Sequence, residues 1–179
     1  MSLTCRRYRP LVLLVVLVSC VGCDQATKKY AIEHFKGEPP ASYLGDTFRI
    51  QYAENKGAFL SLLAEMSPSV RFWVLTVANS LVMVIVAGYF LAARDLDRLS
   101  LLALALIVAG GVGNLIDRIM WDGVVIDFLN MGIGRLRTGV FNVADMAITA
   151  GFFLLMPGLF RGESAPGGKT HPAPSEATA

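Results

Sequence analysis

Between Val125 and Asp145 the chain reads V-I-D-F-L-N-M-G-I-G-R-L-R-T-G-V-F-N-V-A-D. Asp127 stands inside an apolar run, a loop bearing glycines and arginines follows, and Asp145 stands at the mouth of a second apolar run. A carboxylate in or at the rim of a membrane segment is costly, so it marks a functional site by default. Two of them point to a pair. If the two approach closely they cannot both ionise easily, and the pair shares a proton and titrates as a unit. The ionised member would take a proton from a water attacking a peptide carbonyl. The protonated member would hydrogen-bond the carbonyl oxygen and then help the amine leave.

The composition places these acids in a membrane protein. Of 179 residues, 54% are hydrophobic and 17% charged, against roughly 25% charged in soluble domains. The net charge of +2 gives no basic field to gather nucleic acid. Cys5, Cys20 and Cys23 lie in or just before the first apolar segment, and no disulfide framework is expected. Cys20-Val-Gly-Cys23 has redox spacing but no βαβ context, so it reads as apolar filler. His34 and His171 are far apart, and with no Cys/His cluster neither a metal site nor a cofactor is expected.

Four apolar runs of spanning length carry the polar residues: about 10–30, 72–93, 99–117 and 140–160. The expected fold is therefore an all-α membrane protein with four transmembrane helices in one domain, residues 1–161. Leu17-Val-Ser-Cys20 after a basic start also resembles a lipoprotein cleavage site. Against that, Asp24 and Lys28 share a helical face at i, i+4, as though the first helix continued past the bilayer core. The region from Ile32 to Arg71 is polar. Gly37-Glu-Pro-Pro40 breaks helix, Thr47-Phe-Arg-Ile-Gln-Tyr52 alternates with strand period and predicts a small extramembrane β patch, and Ala58 to Leu63 is too short to span and is expected along the interface. Ala109-Gly-Gly-Val-Gly113 suits close helix packing. Residues 162–179, rich in Pro, Gly, Ser and Ala, are expected to be a disordered cytoplasmic tail.

Arginines set the orientation. Arg6, Arg7 and Arg9 lead the first span, Arg94 and Arg98 join the second to the third, and Arg161 follows the fourth. Both termini then lie inside and both long loops outside. On that topology Asp24, Asn55, the Asn114/Asp117/Arg118 face, Asp127, and the Asn142/Asp145 face meet at one membrane depth. Individually, Asp117-Arg118 also reads as a helix-end ion pair, Asn142 as an N-cap, and Asp24 as the first polar residue after a span. Asp145 resists such a reading, being three residues into an apolar helix with no Lys or Arg in the turns that follow.

Five motifs resemble the bacterial lipoprotein signal peptidases of type II, which are four-helix membrane aspartyl peptidases. They are Asp24-Gln-Ala-Thr-Lys28, Asn55-Lys-Gly-Ala58, Gly110-Gly-Val-Gly-Asn-Leu-Ile-Asp-Arg118, Val125-Ile-Asp-Phe128 and Phe141-Asn-Val-Ala-Asp145, in the family's order. The resemblance implies that Asp127 and Asp145 are the catalytic dyad, with Asp24, Asn55, Gly57, Asn114, Arg118 and Asn142 supporting site or substrate. It also implies the substrate: prolipoproteins bearing diacylglycerol on the lipobox cysteine, cut just before it, by a monomer among inner-membrane lipids. This chain departs from the family at Ala58-Phe59-Leu60 and at Thr138-Gly139-Val140. Two rivals stand beside this reading. A small proton-coupled transporter also needs intramembrane acids, though nearer mid-bilayer and on broken helices; a membrane scaffold processed at Cys20 needs no acids at all.

Overall fold

The computed structural model describes residues 8–57, 66–93 and 96–161. Four helices and four short strands follow in the order α1 (Arg9–Phe35), β1 (Ala41–Tyr43), β2 (Phe48–Asn55), α2 (Pro68–Ala92), α3 (Arg98–Met120), β3 (Val125–Ile133), β4 (Leu136–Arg137) and α4 (Val143–Arg161). Three of the helices, over Arg9–Phe35, Ser69–Ala92 and Arg98–Met120, are long and apolar enough to cross a membrane; the apolar part of α4, Val143–Pro157, is shorter. The expected interfacial segment at 58–63 and the tail at 162–179 lie outside the described residues.

The helices turn their apolar sides outward. In α1 the buried residues are Arg9, Asp24, Lys28 and Ala31, while Leu11, Leu14, Val15 and Val18 are all more than half exposed. That inverted pattern is stable in lipid and not in water, because only lipid accepts an apolar outer surface. The most apolar window of α3 is 56% buried, against 11% for that of α2, so α3 is the central helix. Starts and stops are local. Pro10 opens α1, Ser67 Oγ accepts from Val70 N, and Asp97 Oδ1 accepts from Ser100 N at 2.6 Å. Arg9 closes α2 by donating from Nη1 to the carbonyls of Phe90 and Ala93.

Glycines let α3 touch its neighbours. A Cβ at Gly110 would strike the Ala144 carbonyl oxygen, and one at Gly113 would sit 2.8 Å from Asp24 Oδ2. The predicted packing role of the Gly110–Gly113 stretch is what the structure shows.

The β patch is larger than expected. The sheet is antiparallel in the order β1-β2-β3-β4, with Ala53 opposite Asp127 and Asn55 opposite Val125. Residues 125–139, read from sequence as a loop, contribute two of its strands. Val125 to Phe128 are all buried, so the strand lacks the alternation that reveals a half-exposed one. The fourth helix likewise starts at Val143 rather than near 140, because Phe141 is bridged to Leu129 and Asn142 caps the helix.

Candidate active site

Asp127 reaches the site from β3 and is 1% exposed. Asp145 comes from the first turn of α4, where the helix end attracts an anion. What brings them together is the short stretch before α4. Phe141 N donates to Leu129 O, and Phe128 and Leu129 both donate to Phe141 O, which lays Asn142 against β3. Asn142 Oδ1 then accepts from Asp145 N at 2.9 Å while Asp145 Oδ2 accepts from Asn142 N at 3.2 Å, a reciprocal cap. From the same residue Nδ2 donates to Asp127 Oδ1 at 2.6 Å. Asn142 is thus both the N-cap and the link between the two acids; the two readings of its sequence position were not alternatives.

The remaining expected residues gather round this link. Asn55 Nδ2 donates to Asp127 Oδ2 at 2.9 Å, and its Oδ1 accepts from Gly57 N at 2.9 Å, which fixes the amide's direction. Gly57 holds φ +81°, and a Cβ there would collide with the Leu75 side chain, so the turn needs glycine. Asn114 Nδ2 donates to Asp145 Oδ1 at 2.8 Å. Asp24, 1% exposed, accepts from Ala144 N at 2.9 Å. Burial pushes the Asp127 carboxyl up to about 7, helped by the nearby Asp145 and opposed by the Asn55 and Asn142 hydrogen bonds and by Lys28. Near neutral pH it is poised between its two forms.

One alternative needs correcting. Asp117-Arg118 also reads as a helix-end ion pair, but Asp117 pairs with Lys28 at 2.9 Å and accepts from Ile126 N at 2.9 Å. Arg118 donates Nη1 to the Asn114 carbonyl at 3.3 Å. Its Nε is buried and has no partner among the described residues, while its charge is felt by Asp145, Asp117 and Asp127. The reason is helical geometry: adjacent residues on a helix do not face each other, so Asp117 and Arg118 look to different neighbours. Sequence reasoning also missed Gln25, whose Nε2 donates to Asp117 Oδ1 at 2.8 Å. It assigned Lys28 only to Asp24, a pairing the structure has at 2.8 Å. The spacing Asp24/Lys28 and Asn114/Asp117 held the signal for Lys28; nothing in sequence singled out Gln25.

A cavity of about 580 Å³ opens beside Asp145, lined by Met131, Thr138, Gly139, Val140, Phe141, Met146, Thr149, Ala150 and Phe153. It is apolar apart from the carboxylate and two hydroxyls, the character of a ligand cleft with few polar anchors. Among the described residues no group of three or more His, Cys, Asp or Glu side chains is placed to hold a metal ion.

Comparison with known proteins gives the family. The pattern of the family described as signal peptidase (SPase) II matches residues 16–161. A protein of Geobacter sulfurreducens named lipoprotein signal peptidase is 39% identical over 149 residues, 83% of this chain and 91% of the relative. One of the same name from Syntrophus aciditrophicus is 35% identical over 149 residues, 83% of this chain and 92% of the relative. A solved bacterial membrane enzyme superposes with a TM-score of 0.71 at 25% identity, covering 84% of this chain and 93% of its own. The helix ends, the capped α4 and the shared amide between two acids therefore sit in a chain that belongs, along most of its length, to the signal peptidase II family.

Proposed function

We propose that this protein is an aspartic endopeptidase that removes signal peptides from diacylglyceryl-modified prolipoproteins, cutting before the lipidated cysteine with Asp127, Asp145 and water. The observation that carries the chemistry is the Asn142 side chain, whose one amide hydrogen-bonds Asp127 while the other end caps the turn holding Asp145. Asp127, held near its midpoint at neutral pH, carries the proton that the substrate carbonyl needs. Asp145 takes the proton of the attacking water. Arg118, with a buried Nε that has no partner among the described residues and a charge that interacts with both acids, offers a donor to the charge that builds on the carbonyl oxygen. Asn55, Asn114 and Asn142 orient the pair, Asp24 holds the first turn of α4, and Gly57 sets Asn55.

The apolar cavity next to Asp145 suits the acyl chains of the substrate. Family and relatives favour peptide cleavage over the transporter reading. The direct test is cleavage by purified protein of a peptide with a diacylated lipobox cysteine. A cut just before that cysteine, with the unlipidated peptide left intact, is expected; cleavage of both alike would remove the lipid from the proposal.

The same reading has α4 as a fourth span, both termini cytoplasmic, and a monomer among bacterial inner-membrane lipids with its site at the outer face. Arg9, Arg98 and Arg161 support it by falling at helix ends on one side. A membrane-impermeant thiol reagent on intact cells should label a cysteine placed at Ser42 and spare one at Ser175. Labelling at Ser175 but not at Ser42 would invert the orientation and put the acids on the cytoplasmic side.

A further inference from the structure

Behind the two acids lies a set of buried charges that the hydrolytic steps do not use. Lys28, on α1, is 2% exposed. Its Nζ lies 2.8 Å from Asp24 Oδ2, 2.9 Å from Asp117 Oδ2 and 3.2 Å from Asn114 Oδ1. An ammonium has three donors and no acceptor, so each of its hydrogens has one oxygen to meet. Both carboxylates then reach onward to backbone. Asp24 Oδ1 accepts from the N–H of Ala144, and Asp117 Oδ2 from the N–H of Ile126, each at 2.9 Å. Ala144 immediately precedes Asp145, and Ile126 immediately precedes Asp127.

We propose that Lys28 is the positioning residue of the pair: one ammonium ties Asp24 to Asp117 and, through them, holds the peptide units that carry both acids at a set separation. This rests on reading Asp127 and Asp145 as the dyad. The third contact serves Asp145 as well. With Lys28 against Asn114 Oδ1, turning that amide over would aim its NH₂ at the ammonium, so Nδ2 is kept on Asp145. Without the cation, two buried carboxylates face each other across α1 and α3 with no counter-charge between them. One must then take up a proton or draw in water. Either change disturbs the acceptor of a backbone N–H next to a catalytic acid.

The test is Lys28→Met in the full chain, reconstituted in lipid nanodiscs, measured against wild type in three ways. On a diacylated lipobox peptide, kcat is expected to fall about 100-fold, the effect of a small misplacement, with KM within about threefold. Hydrogen exchange at the Ile126 and Ala144 amides should quicken by about tenfold or more, while Leu129 in β3 and Ala105 in α3 keep their protection. The third readout is pH. The charges acting on Asp127 are Lys28 from α1, Arg118 from α3 and Asp145 from α4, with the amides of Asn55 and Asn142 in contact. Lys28 favours the ionised form, so its loss should move the limb on which activity falls with Asp127 ionisation to higher pH. A variant with wild-type kcat and protected Ile126 and Ala144 amides overturns the proposal, as does lost activity with those amides still protected and the limb unmoved. Exposed amides in the variant, with a wild type that leaves the peptide uncut, would keep the positioning role and sink the peptidase reading. If Lys28→Met does not assemble, Lys28→Gln, neutral but able to donate to Asn114, faces the same three measurements with the same expected directions.

Discussion

At the Arg9 end of the bundle the buried apolar cluster is Phe90, Leu96, Leu101, Leu104 and Ala105, with Arg9 the one charged residue α1 buries there, whereas at the sheet end the helices bury Asp24, Lys28, Asn114 and Asp117. Apart from Arg9, which donates to the Phe90 and Ala93 carbonyls, the first end is held by close contact without direction. Lipid is as apolar as leucine, so that cluster gains from packing more than from leaving water, and a change of shape at constant volume has room to relax. At the second end each buried group has a named partner, and removing one leaves another unsatisfied. One half of the molecule therefore tolerates substitution and the other does not, although both halves belong to the same four helices.

The largest expected effect breaks the polar end where it does chemistry. An amide is nearly the shape of a carboxyl but serves as neither acid nor base. Asp127→Asn and Asp145→Asn should each lower kcat by at least about 10³-fold, ~4 kcal/mol, and the double variant should be no worse than either single, because groups acting as one unit are not additive. Binding of the lipidated peptide should survive. Activity retained within about tenfold, ~1.4 kcal/mol, in either single variant would end the aspartyl mechanism.

Arg118→Lys comes next. It keeps the charge and loses the planar fork of donors, and peptide cleavage should fall about 10- to 100-fold at an unchanged protein level in the membrane. Wild-type turnover would reduce Arg118 to an interface anchor.

Asn55→Leu sharpens the comparison through pH. The Asn55 hydrogen bond favours the ionised Asp127 and so lowers its pKa from what burial alone would make it. Deleting the bond raises that pKa further, and the falling limb of kcat/KM, set near pH 7 in the wild type, should move to higher pH. A limb that stays put or moves down would show that Asp127 does not carry the proton.

The smallest effect belongs to the other end. Leu104→Met conserves volume in the apolar cluster, so its stability cost should stay below about 1.5 kcal/mol, read by thermal unfolding in detergent, with cleavage unchanged. A large loss of activity there would mean that the two ends are coupled more tightly than their separate chemistry implies.

Much of this was legible in the residues themselves. Long apolar runs, basic residues at one set of ends and acids at the other define a membrane bundle from composition and spacing, because the cost of a charge in lipid makes every exception conspicuous. Asp127 and Asp145 stood out on that ground, and with Asn114 and Asn142, which share helix faces with the acids, they do meet. The strand at Val125–Ile133 did not stand out, since a strand buried over its first four residues has no period to read.

Tertiary structure alone decided who pairs with whom. Sequence neighbours suggested Asp117 with Arg118, but the helix turns them apart and a lysine 89 positions earlier takes Asp117. Likewise the Asn142 amide, an ordinary feature of a helix start, becomes the link between the two acids because the Phe141–Leu129 pairing lays it against β3, and the Ala144 N–H reaches Asp24 where Gly110 and Gly113 let α3 close on α4. The chain's local chemistry determines which groups are unwilling to face lipid. The close packing of α1, α3, α4 and the sheet determines the partner each one finds, since a buried charge accepts only the few groups that geometry places within reach.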